Sequence, residues 1–177
     1  MQEIITDTRK IFKGRVVNLE VHEVRLPNGE ISRRELIRHA GAVAVIALDA
    51  DRHVLLVRQF RLASNKVMLE IPAGVLEPGE APEVCAEREL QEEVGYKPGR
   101  LEPLGGLYVA PGYTTEYIHL FLATELTEAR LQGDADEFIE TDRVSFTDAL
   151  AMIERGEITD GKTIVGLLRV ARRLGIG

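Results

Sequence analysis

No tryptophan occurs among the 177 residues, and cysteine occurs once, at Cys85. One thiol excludes an internal disulfide framework and fits a reducing compartment, so a cytoplasmic protein is expected. Nothing around Cys85 marks it as activated, and a small buried side chain on a helix is its expected role. Aromatic residues make up only 5% of the chain, so any stacking surface must come from a few positions such as Phe12, Phe60, Tyr108 and Tyr113. No apolar run is long enough to cross a bilayer. Residues 1–17 lack the apolar core of a signal peptide. Positive charge is in deficit, with 22 Lys and Arg against 29 Asp and Glu, a net −7. That balance argues against a nucleic-acid binder held by a broad basic surface. Anions can still be bound where metals or a few arginines invert the local field.

Apolar and charged contents are near globular averages, and no repeat or linker interrupts the chain. One domain over 1–177 is expected, with about 1–40 as a semi-independent N-terminal sheet. Residues 16–25 alternate apolar and polar, Pro27-Asn28-Gly29 reads as a hairpin turn, and 31–37 returns as its partner. The run 41–48, GAVAVIAL, predicts a strand buried on both faces. Strands are also predicted over 53–60, 67–71, 101–108, 117–124 and 141–146, and a helix over 82–94. Pro82 suits a first helical turn and Gly95 a C-terminal cap. Two helices close the chain. Thr147 is expected to cap the first, with Ala149, Leu150 and Ile153 inward. Asp160 is expected to cap the second, with Ile164, Leu167, Leu168, Ala171 and Leu174 on its buried face. The order describes an α/β (α+β) domain with a mixed central sheet.

Chemistry concentrates in 74–96, GVLEPGEAPEVCAERELQEEVGY. On a wheel of about 100° per residue, Arg88, Glu89, Glu92 and Glu93 share one arc, and Ala86, Leu90 and Val94 face the core beside it. Like charges three and four apart repel by a few tenths of a kcal/mol per pair. They also crowd the C-terminal half of the helix, where its dipole disfavours them. Such broken local rules are often compensated by function. Oxygen-only ligands suit Mg²⁺ or Mn²⁺, which share substrate phosphates. The same run also reads as a solvated acidic face with Arg88 as its cation, and residue chemistry alone leaves both readings open.

Spacing adds a resemblance. Gly74, five residues, Glu80, seven residues, then Arg88-Glu89-Leu90-x-Glu92-Glu93-x-Gly95 resembles the Nudix box at every fixed position. Tyr96 departs from it, standing where that family usually has an aliphatic residue. The surrounding element order is similar to the Nudix αβα sandwich. The resemblance implies a hydrolase of nucleoside diphosphates linked to another moiety, dependent on Mg²⁺ or another divalent cation such as Mn²⁺. It implies Glu89, Glu92, Glu93 and the carbonyl of Ala73 as metal ligands, with Glu92 also in the catalytic set. Gly74 would let the loop approach the helix, and Arg88 and Glu80 would orient the carboxylates. Glu77, Glu83 and Glu87 remain surface.

Features outside the box resemble the ADP-ribose pyrophosphatase branch. Pro111 lies sixteen residues beyond Gly95, at the position that marks this branch, and Arg58-Gln59-Phe60-Arg61 and 69–74 also look like it. The branch implies substrate contacts at Arg58, Arg61, Glu70, Pro111, Gly112 and Glu116. Arg61 would pair with the diphosphate, and Glu70 would accept from a ribose hydroxyl or an adenine amine. Strand-end charge is the other reading of Arg58 and Arg61. The catalytic base is expected on the acidic loop 134–140, at Glu137 first and Glu140 second. The N-terminal hairpin resembles a sheet exchanged between two subunits, which implies a homodimer. Each of the four aromatics named above, taken singly, is expected in the core. The implied reaction converts ADP-ribose to AMP and ribose 5-phosphate. The alternatives are a pyrophosphatase for another nucleotide sugar such as GDP-mannose, or a non-catalytic ADP-ribose sensor. The intact box speaks against the sensor.

Overall fold

The computed structural model describes residues 1–133 and 138–176. Its contacts divide the chain into two compact units, one of Met1–Gly41 with Tyr108–Tyr117, the other of Ala42–Leu107 with Ile118–Gly177.

The first unit is an antiparallel sheet in the order β1 (Ile4–Lys13), β2 (Asn18–Arg25) and β3 (Ile31–Arg38). Its β2–β3 turn is closed by Leu26 N donating to Glu30 O (2.8 Å) and Gly29 N donating to Leu26 O (2.9 Å). Gly29 sits at φ +89°, a region that favours glycine, so the Asn-Gly signal marked the turn correctly. β1 was not legible in the sequence. Its pairing with β2 is irregular between Ile5 and Asp7 and again between Lys10 and Phe12. Each irregularity resets the two-residue period, so no alternation survives to be read. In the same unit, Ile37 N donates to Tyr113 O (2.8 Å) and Thr115 N to Ile37 O (3.0 Å).

The second unit holds a mixed sheet in the order β10 (Glu140–Ser145), β5 (His53–Arg61), β4 (Ala42–Leu48), β9 (Tyr117–Glu128) and β8 (Tyr96–Tyr108). β6 (Lys66–Glu70) pairs with β5, and the short β7 (Ala73–Val75) pairs with β4. β4 runs parallel to β9 and antiparallel to β5 and β7. Every residue of β4 is buried, as its unbroken apolar run predicts. Ala44 and Ile46 join Leu167 and Val170 in one core, while Val43, Val45 and Ala47 join Cys85, Ala86 and Leu90 in the other. The strand period of two therefore sorts one segment between two helical layers, the αβα sandwich. Each fully buried Leu or Ile contributes roughly 1.5–3 kcal/mol of apolar transfer.

Three helical details differ from the sequence reading. Helix α2 (Phe146–Glu154) is capped by Ser145, whose hydroxyl accepts from Asp148 N (3.1 Å), and not by Thr147. Helix α3 (Gly161–Leu174) is capped by Asp160 as expected, but buries Thr163, Gly166, Leu167, Val170 and Ala171 while Leu168 and Leu174 are exposed. A Cβ at Gly166 would lie 2.9 Å from Ile46 Cδ1. The helix turns its smallest residue toward β4, and an apolar wheel gives that residue no weight. Finally, 82–94 is not one α-helix. Helix α1 (Pro82–Glu89) runs into a π-helical turn, Leu90–Val94, closed by Gly95 at φ +82° with Gly95 N donating to Leu90 O (3.1 Å).

Candidate active site

The π-turn sits where the carboxylates are. Such turns recur at functional sites, and here one changes the angular step beyond Glu89, so a uniform wheel misplaces Glu92 and Glu93. The buried side chains Ala86, Leu90 and Val94 pin the segment to the core. Glu89 and Glu93 are themselves buried, at 8% and 6% exposure. Buried carboxylates require partners. Ala73 N donates to Glu93 Oε2 at 2.9 Å, which fastens the strand after Pro72 to the helical segment. Gly74 leaves the space that Glu89 fills, for a Cβ there would fall 1.9 Å from the Glu89 carboxyl carbon.

Arg88 gathers the others. Its Nε and Nη2 donate to the two oxygens of Glu80 (2.9 and 3.1 Å), and its Nη1 donates to Glu89 (2.7 Å) and Glu92 (3.0 Å). Glu80 also accepts from Glu77 N (3.0 Å), so it closes the loop and aims the guanidinium. The hydrogen bond from Arg88 holds the Glu80 carboxyl far below its usual range, at about 2. Cys85 lies buried beside this network, and burial first, then Glu80, pushes its thiol up to about 12, which suits a structural side chain and not a nucleophile.

Three carboxylates, Glu80, Glu89 and Glu92, thus surround one guanidinium, and every donor atom they and Glu93 offer is a hard oxygen. Glu89, Glu92 and Glu93 fit a divalent cation of the Mg²⁺ or Mn²⁺ type, with Ala73 beside them. Among the described residues, the group whose ligand atoms all lie within 4.8 Å of one another is a different one, Asp49, Asp51 and His53. Arg143 already donates to Asp49 (2.7 Å) and Asp51 (2.8 Å), and Asp49 Oδ1 accepts from Asp51 N and His53 N (both 2.9 Å). Those bonds shape the turn and occupy both aspartates, while His53 Nδ1 is buried with no hydrogen-bond partner, 3.8 Å from Asp49 Oδ1.

A second charged group stands at the end of β6. Arg61 donates to both oxygens of Glu70, from Nε and Nη2, at 2.8 Å each. Lys162 Nζ donates to Glu70 Oε2 as well, and to Asp160 Oδ2 at 3.1 Å. Glu70 is 1% exposed. Burial alone would raise its carboxyl, but the hydrogen bonds from Arg61 and Lys162 outweigh that and hold it low. Glu70 chiefly, and Glu93 to a smaller degree, strengthen the hold of Arg61 on its proton, which ties this group electrostatically to the box. Sequence reasoning missed Lys162. Its signal was a cation in the first turn of a helix, against the dipole.

The structure bonds Glu89 and Glu92 to Arg88, Glu93 to Ala73 N, and Arg61 to Glu70. Arg58 donates to Asp142 at 2.5 Å in an exposed pair. Glu140 is exposed at the start of β10, opposite Arg58 in register. Glu137 lies outside the described residues. Pro111, Gly112 and Glu116 belong to the first unit, where Glu116 N donates to Thr114 Oγ1 (3.1 Å) and Val109 N donates to Glu116 O (3.3 Å). The aromatic residues were misjudged. Phe12, Phe60, Tyr108 and Tyr113 are each more than half exposed, so none of them is core.

Comparison with known proteins agrees with the box. The NUDIX domain profile matches residues 38–165. The chain is 43% identical to an ADP-ribose pyrophosphatase of Bacillus subtilis, over 92% of this chain and 89% of that protein. It is 42% identical to a methanol dehydrogenase activator of Bacillus methanolicus, over 94% and 91%. A GDP-mannose pyrophosphatase of Salmonella typhimurium is 34% identical over 91% and 94%. Among solved structures, an ADP compounds hydrolase superposes with a TM-score of 0.88 over 99% of this chain and 95% of that one; at 24% identity it speaks for the fold alone. With the profile spanning most of the chain and the box intact from Gly74 to Gly95, this chain belongs to the Nudix hydrolase family.

Proposed function

We propose that this protein hydrolyses the diphosphate bond of ADP-ribose to give AMP and ribose 5-phosphate. The observation that carries the substrate is the 43% identity, over nearly the whole of both chains, to the ADP-ribose pyrophosphatase of Bacillus subtilis. Glu89, Glu92, Glu93 and the Ala73 carbonyl would hold Mg²⁺ or Mn²⁺. When bound, such a cation supplies charge neutralisation for the diphosphate and a more acidic water. Arg61 pairs with the diphosphate through its planar guanidinium. Pro111, Gly112 and Glu116 contribute further contacts to the nucleotide sugar. A loop carboxylate, Glu137 first and Glu140 second, takes the proton of the attacking water, the P–O bond to the leaving phosphate breaks in line, and the two products are phosphate monoesters. Glu137→Gln should lower kcat more than Glu140→Gln; the reverse order would move the base to Glu140.

Relatives acting on GDP-mannose make a second nucleotide sugar the competing reading, at lower identity. A panel of ADP-ribose, ADP-glucose, GDP-mannose and UDP-glucose, assayed for monoester products with Mg²⁺, separates the two. ADP-ribose should give the highest kcat/KM. A GDP-sugar turned over far better would replace it.

A cytoplasmic homodimer completes this reading. Its support is the N-terminal sheet, where all ten residues of β1 are exposed, Ile4, Ile5, Ile11 and Phe12 among them. An edge strand of that length with four large apolar side chains exposed invites pairing. Light scattering should give twice the 19.7 kDa chain mass, and a monomer at micromolar concentration would refute it.

A further inference from the structure

We infer that Lys162 is a positioning residue: it holds the buried carboxylate of Glu70 so that Arg61 can exchange between Glu70 and a diphosphate. The inference rests on the reading that Arg61 binds the diphosphate, and it assigns no substrate contact to Lys162 itself.

Glu70 is 1% exposed at the end of β6, and a carboxylate there cannot be left without a cation. With Arg61 as its sole partner, the two would be locked. Drawing the guanidinium onto a phosphate would strand a buried charge, and the cost of that would be subtracted from every substrate-binding event. Two cations on one carboxylate remove the obstacle. Arg61 has the exposed half of the arrangement, with its side chain 42% accessible, whereas the Lys162 side chain is 10% accessible. Lys162 is therefore the resident partner and Arg61 the one free to turn outward.

The placement of Lys162 supports this. It is the second residue of α3, where a cation opposes the helix dipole. It is kept there by Asp160, the capping residue, at 3.1 Å. Asp160 in turn accepts from Thr163 N (2.9 Å) and Thr163 Oγ1 (2.6 Å), and Thr163 Oγ1 accepts from Ile71 N (2.9 Å). The cap of α3 is thus bonded to the backbone one residue after Glu70, and two residues further on Ala73 N donates to Glu93. Lys162, Glu70 and the strand beginning at Ala73 are thus registered by hydrogen bonds to Ile71 N and Ala73 N, two residues apart in the backbone. An ammonium without the fork geometry of Arg serves as a point counter-charge that does not compete for the planar phosphate pairing.

Equilibrium binding of ADP and steady-state turnover of the best nucleotide sugar test it on the full-length protein. Lys162→Met should weaken ADP binding and raise KM about tenfold or more, with the smaller part of the loss in kcat. Lys162→Arg should stay within about threefold of the parent. The decisive variant is the double substitution Lys162→Met with Glu70→Gln. Removing the buried charge frees Arg61, so binding should recover to within a few-fold of the parent. If Lys162 instead touched substrate directly, the double variant would be no better than Lys162→Met, and the inference would be overturned. Lys162→Met binding ADP within twofold of the parent would also overturn it. These outcomes leave the substrate reading untouched wherever the parent enzyme turns over ADP-ribose. A parent that binds and cleaves no nucleoside diphosphate would overturn both.

Discussion

Glu93→Gln is expected to reduce kcat/KM for ADP-ribose by at least ~100-fold, more than the loss usual for a residue one shell away from a metal. Glutamine is nearly isosteric and its amide oxygen can still accept from Ala73 N, the bond that Glu93 makes at 2.9 Å. The strand after Pro72 should therefore stay fastened, and thermal unfolding should move by only a few degrees. What glutamine cannot supply is the negative charge that a hard cation requires. The variant isolates charge from scaffold. Mg²⁺ titration of activity measures the effect, and an enzyme within a few-fold of the parent at saturating Mg²⁺ would remove Glu93 from the ligand set.

Gly74→Ala should be as damaging to activity for a different reason. A Cβ at this position would meet the Glu89 carboxyl carbon and Oε1 at 1.9 Å and Oε2 at 2.4 Å. Those atoms form the far end of a flexible side chain, so the fold can accept the methyl by turning Glu89 away. The displaced carboxylate would then leave Arg88 Nη1, to which it is bonded at 2.7 Å, and would leave the proposed cation site with one ligand fewer. Activity should fall by ~100-fold, comparable to loss of a ligand, while the unfolding midpoint changes little. A variant that loses its fold outright would locate the role of Gly74 in the β4–β7 pairing, and full activity would show that Glu89 has room the structure does not display.

The contrast between these residues and Lys162 shows what a sequence can carry. The box was legible because its residues lie close in the chain: Gly74, Glu80 and 88–95 are set by one loop and one helical segment, and Gly95 ends it with the positive φ that its residue type allows. β4 was legible because burial on both faces leaves an unbroken apolar run. The Lys162–Glu70 pair spans 92 residues and depends on how α3 docks on the sheet, which no local pattern encodes. Likewise the buried face of α3 follows Gly166, a residue whose contribution is the absence of a side chain. β1 was hidden by two register irregularities. The π-turn was hidden because its hydrogen-bond shift costs the sequence no distinctive residue until Gly95. The sequence offered Glu70 as an acceptor toward substrate, and its bonds from Arg61 and Lys162, long-range in the chain, could not be read there.

The carboxylates around Arg88 are proposed to serve hydrolysis of a diphosphate and not mere binding. Incubating the protein with ADP-ribose and Mg²⁺ in ¹⁸O-water, followed by mass spectrometry of the products, tests it most directly. AMP and ribose 5-phosphate should form in equal amounts, with one ¹⁸O atom in one of the two monoesters. Intact ADP-ribose, bound tightly and never cleaved, would contradict it.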